Sequence, residues 1–84
     1  MTNNYVIMCR SVTYAQRAVK ILERSGERAH MVKAPQGLTP EGCSYGVSLR
    51  SREPGTAVDK LKEAGVRIGR VYSVEMGQWL EVEL

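Results

Sequence analysis

Two cysteines and one histidine are the side chains in this 84-residue chain best suited to nucleophilic or metal chemistry. Cys9 ends a short apolar run, Tyr5-Val-Ile-Met-Cys9, and Cys43 sits between Gly42 and Ser44 in a glycine-containing turn. His30 lies in the middle of a candidate strand. One His and two widely spaced Cys match no zinc-ligand pattern, and a single His does not assemble a Ser/His/Asp set. No metal or cofactor is therefore expected. The chain has neither G-x-G-x-x-G nor a Walker A loop, and Gly65-Val-Arg-Ile-Gly69 reads as a helix end running into a strand rather than a phosphate cradle. What remains is thiol chemistry. A cysteine closing an apolar strand is first of all a small buried hydrophobe. A cysteine flanked by Gly42 and Ser44 is harder to account for by packing, which makes Cys43 the candidate reactive thiol.

A thiol becomes a nucleophile as its thiolate, and a helix N-terminus or a nearby cation favours that form. The elements around the two cysteines therefore matter. Tyr5 to Cys9 is short and β-branched enough for a strand buried on both faces. Ser11 and Thr13 follow as possible N-caps, and Thr13 with Gln16 has capping-box spacing. Ala15, Ala18, Val19 and Leu22 then recur at i, i+3, i+4 and i+7, which is an amphipathic helix closed by Gly26. Ala29 to Lys33 reads as a second strand. Ala34 to Ser44 holds Pro35, Gly37, Pro40 and Gly42 and reads as a loop, long for so small a chain. Tyr45, Val47 and Leu49 alternate with Gly46, Ser48 and Arg50 in a half-buried third strand.

Pro54-Gly55 makes a turn, and Thr56 with Asp59 has capping-box spacing ahead of a helix that turns Val58, Leu61 and Ala64 inward. Val66 to Val74 holds a fourth strand with Ile68, Tyr72 and Val74 at one parity. Leu80, Val82 and Leu84 alternate with Glu81 and Glu83, which suggests a short, charge-protected edge strand. The order β-α-β-β-α-β predicts an α+β, ferredoxin-like split β-α-β fold: an antiparallel sheet, both helices on one face, first and third strands central. At this length a single domain spanning 1–84 is expected.

That topology brings Cys9, the start of the first helix and the Cys43 loop to one end of the sheet. With Ile7 opposite Val47, Cys9 faces Tyr45 and Cys43 lies a row beyond, a diagonal distance of ~7–8 Å at Cα that is slightly long for a disulfide. Arg10, Ser11, Gly42 and Ser44 would surround a Cys43 thiolate, with Cys9 nearby.

Composition narrows the function classes. Apolar residues make up 43% and charged residues 25%, the balance of a globular and not a disordered chain. A net charge of +3 is too small and too dispersed to argue for a polyanion partner. Base-stacking domains of this topology carry aromatics on the sheet face. Here the third strand offers only Tyr45, at core-facing parity, so nucleic-acid binding is not expected. Met1 to Arg10 lacks a signal-peptide pattern, and no run reaches the ~20 apolar residues of a membrane span. Two cysteines are too few for a secreted disulfide scaffold. A cytoplasmic location and no membrane association are the expectation.

The chain resembles a family of short bacterial proteins described as selenium/sulfur carrier-like, formerly a domain of unknown function. Three segments carry the resemblance: Ser11-Val-Thr-Tyr-Ala15 straight after the first strand, Lys33-Ala-Pro-Gln-Gly-Leu-Thr-Pro40 after the second, and Gly42-Cys-Ser-Tyr-Gly-Val-Ser-Leu-Arg50 leading into the third. They span most of Tyr5 to about Val74. The resemblance implies a carrier cysteine in the glycine-rich turn, which maps to Cys43. A second register, with Gly46 at the family's glycine, puts Tyr45 at the cysteine position. It implies a carrier holding sulfur or selenium rather than a turnover enzyme, loaded by a cysteine desulfurase-type donor or a selenium-metabolism protein. The alternative from the residues themselves is a non-catalytic partner- or effector-binding module, dimerising through an edge strand at the Trp79–Leu84 tail.

Overall fold

The computed structural model describes residues 3–35, 37–38 and 44–83. They form β1 (Asn3–Cys9), α1 (Val12–Arg24), β2 (Ala29–Lys33), β3 (Tyr45–Ser51), α2 (Pro54–Glu63), β4 (Ile68–Glu75) and β5 (Gln78–Val82). The strands make one antiparallel sheet in the order β2-β3-β1-β4-β5. This is the expected split β-α-β arrangement with β5 added as a hairpin on β4. β1 is the middle strand, flanked by β3 and β4.

β1 is buried on both faces because each parity meets its own apolar cluster. Ile7 and Cys9 turn toward the helices, among Ala15, Ala18 and Leu22 of α1, Ala57, Val58 and Leu61 of α2, and Val47 and Leu49 of β3. Val6 and Met8 turn the other way, onto Tyr72 and Ala34, with Val32, Leu38, Val74 and Trp79 at the margin. The residues just after β2 thus cover one end of the sheet face that carries no helix. Gly46 is required between the two layers. A Cβ there would stand 2.8 Å from the Ile7 carbonyl oxygen and 3.0 Å from the Met8 sulfur.

Ser11 is the α1 N-cap. Its backbone is extended, and its hydroxyl oxygen accepts the Tyr14 N–H at 3.2 Å. Both helices end alike. Gly26 and Gly65 take positive φ of 86° and 79°. Glu27 N–H then reaches the Leu22 carbonyl, and Val66 N–H reaches Leu61, the Schellman pattern. α2 departs from expectation. It begins at Pro54 with Glu53 as N-cap and no side-chain cap, so Thr56 lies inside the first turn rather than capping it. Proline suits that position because its fixed φ is already helical and it lacks only an N–H that would be unpaired. Pro54, Ala57, Val58 and Leu61 face inward, while Ala64 is the exposed C-cap.

β4 also corrects a parity. Ile7 pairs with Val71 but Cys9 pairs with Ile68, so β4 spends one extra residue against β1, a β-bulge. Ile68 and Val71 therefore both pack on the helix-side cluster, while Tyr72 belongs to the opposite face. The short edge strand expected around Leu80 and Val82 is β5, which begins at Gln78. Trp79 is half-buried, edge-on to Tyr72 with ring centroids 6.1 Å apart. Among the described residues, no helix is long and apolar enough to cross a membrane.

Candidate functional site

The site is built from the end of β1 outward. Cys9 closes that strand, is fully buried in the helix-side cluster, and directs its thiol at the Ile7 carbonyl oxygen at 3.7 Å. Tyr45 is directly opposite it on β3, Ile68 is opposite on β4, and Lys33 is opposite Tyr45 on β2. Lys33, Tyr45, Cys9 and Ile68 thus form one cross-strand row on the helix side of the sheet. The register in which Ile7 is opposite Val47 and Cys9 faces Tyr45 is the one observed.

Arg10 and Ser11 follow Cys9 at once and are exposed at the same end of the sheet. Ser11 holds the first turn of α1 in place through its hydroxyl, and its carbonyl accepts the Ala15 N–H at 3.0 Å. The earliest N–H groups of the helix have no partner inside it, as helix geometry requires, so this end of α1 is electropositive. Ser44 is exposed and anchored: the Ala34 N–H donates to its carbonyl at 2.8 Å, extending the β2–β3 ladder past Lys33 and Tyr45. The two ends of the connection between β2 and β3 are thereby tied at the Cys9 end of the sheet. Gly42 and Cys43 lie outside the described residues.

Of the predicted site residues, the structure brings Cys9, Arg10, Ser11 and Ser44 to one end of the sheet. Cys9 is a core residue there. Lys33 belongs to the same row and was missed as a site residue in the sequence. Only the β2–β3 register shows it, since nothing in the local pattern of Ala29–Lys33 ties its last residue to Cys9. Among the described residues no group of three or more His, Cys, Asp or Glu is placed to hold a metal ion.

No curated protein and no solved structure matches the chain. The family model described as "Putative Se/S carrier protein-like" matches residues 4–73. That span runs from the first residues of β1 through both helices into β4 and takes in both cysteines. On that match, the chain belongs to the Putative Se/S carrier protein-like family.

Proposed function

We propose that this protein is a carrier that holds sulfur or selenium on Cys43. The observation that most supports this reading is the complete burial of Cys9. Of the two cysteines in the chain, Cys9 is spent on the core, and its thiol has no surface from which to hand a chalcogen to a partner. In a family described as Se/S carrier-like, the carrier role then falls to Cys43. Ser44, next to it in sequence, is anchored at the same end of the sheet as the α1 N-terminus, Arg10 and Lys33. A partial positive charge and two cations are what a thiolate or persulfide anion needs.

Loading is a transfer between sulfurs. The Cys43 thiolate attacks the outer sulfur of a donor persulfide of the cysteine desulfurase type. A new S–S bond forms on Cys43 as the donor's S–S bond breaks, and the donor leaves as its thiolate. No net oxidation or reduction occurs. The protein acts as a stoichiometric carrier rather than a turnover catalyst.

The test is persulfide labelling after incubation with a cysteine desulfurase and cysteine. The unaltered protein and Cys9→Ala should label, and Cys43→Ala should not. Equal labelling of Cys43→Ala sinks the proposal.

A further inference from the structure

Among the described residues, only part of the sheet face away from the helices is covered. Ala34 and Leu38 close over the Met8 end, leaving a cleft of about 450 Å³ at the other end. Its floor is apolar, made of Val6, Val32 and Val74, and Trp79 stands on the β5 side. The β2–β3 side is cationic. Arg28 and Arg50 line it, beside His30 and Ser48. Among the described residues, no carboxylate lines the cleft and neither arginine is in an ion pair. Among the described residues, the nearest acidic residue on that face by register is Glu81, opposite Tyr72, and Arg70 already engages it at 2.6 Å. The cleft therefore presents two guanidinium groups at one side and an indole at the other, and Glu75 lies in an adjoining hollow that shares Asn4, Arg50 and Val74 with it.

We propose that this cleft binds a small phosphate monoester carrying a flat apolar body, with Arg28 and Arg50 on the phosphate and Trp79 against the body. Charge selects the head group: two arginines suit a phosphate monoester of about −1.5 to −2 charge, whereas a single carboxylate balances only one of them. Length selects the rest. Arg50, Asn4, Val74 and Trp79 lie in register across four strands. Three strand spacings of ~4.8 Å put Arg50 and Trp79 roughly 14 Å apart at Cα, part of which the arginine side chain spans. Inorganic phosphate cannot touch both ends, and a nucleoside monophosphate can. Its ring would lie over valines, and the edge-on contact with Tyr72 fixes the Trp79 ring beside it. The cleft lies at the opposite end of the sheet from Cys9 and Ser44, so this inference is independent of the carrier reading.

The experiment is a titration with adenosine 5′-monophosphate followed by the fluorescence of Trp79, the only tryptophan in the chain. A saturable change is expected. Adenosine alone, inorganic phosphate alone, and the Arg28→Gln/Arg50→Gln variant titrated with the monophosphate should each bind at least about tenfold more weakly. Lys60→Gln/Lys62→Gln removes equal charge from α2 and should bind as the unaltered protein does. Absence of a saturable response, equal binding of adenosine, or equal weakening by the lysine variant overturns the proposal. If the arginine variant fails to fold, amide chemical-shift mapping on the unaltered protein decides. Shifts confined to Asn4, Ser48, Val74 and their neighbours support the cleft, and shifts spread over α1 and α2 overturn it.

Discussion

Cys9 and Tyr45 are directly opposite each other on β1 and β3, and both pack against the helix-side core. Directly opposed residues in an antiparallel pair stand about 4.5–5.5 Å apart at Cα, inside the range a disulfide spans. Tyr45→Cys should therefore form a bond to Cys9 when the protein is oxidised. Non-reducing peptide mapping would find the two positions cross-linked. Failure to cross-link would contradict the β1–β3 register.

The two native thiols should differ sharply in access. In the folded protein an aromatic disulfide reagent should titrate one thiol, Cys43, and under denaturant a second, Cys9. Cys9→Ser should cost about 1–3 kcal/mol in chemical denaturation, because it leaves a hydroxyl in an apolar cluster. Two fast-reacting thiols in the native state would remove the reason for setting Cys9 aside.

Gly46 and Gly55 make a matched pair. At Gly46 a Cβ meets the Ile7 carbonyl at 2.8 Å, and backbone cannot move aside cheaply. Gly46→Ala should destabilise by about 1–3 kcal/mol. At Gly55, in the first turn of α2, a Cβ meets nothing within 4 Å. Gly55→Ala should stabilise by about 0.5–1 kcal/mol through the unfolded chain. Thermal or denaturant melts separate the two, and equal effects would refute the close approach at Gly46.

The helix starts can be told apart in the same way. Ser11→Ala removes an observed cap bond and should cost about 1 kcal/mol. Thr56→Ala, at an exposed position inside α2, should stay within about 0.5 kcal/mol of the unaltered protein. A larger loss at Thr56 than at Ser11 would restore the capping-box reading.

Much of the fold is legible without coordinates, because local periodicity and turn chemistry are local physics. The 3.6-residue recurrence from Ala15 to Leu22, the alternation at Tyr45–Arg50, and the glycines at 26 and 65 state their own structure. From the element order follows the sheet topology, since handed crossovers leave few alternatives; the pairing of Ile7 with Val47 matches the apolar faces of the two strands but is not dictated by that order. The Thr56 box misled because proline at 54 can open the helix earlier without any side-chain cap. Ile68, Tyr72 and Val74 misled because one extra residue against Cys9 reverses parity, and no local residue pattern marks it.

For the site, the chain by itself singles out Cys43 by its glycine and serine neighbours, and family membership bears on it. The sequence already reads Cys9 as a buried hydrophobe, and tertiary structure makes its burial complete, since burial is a property of all the elements around a residue. Tertiary structure also decides that Lys33 lies in the Cys9 row of the sheet. The cleft of Arg28, Arg50 and Trp79 joins residues from β5 with others far earlier in the chain. Its charge and its apolar floor exist only once five strands are laid side by side.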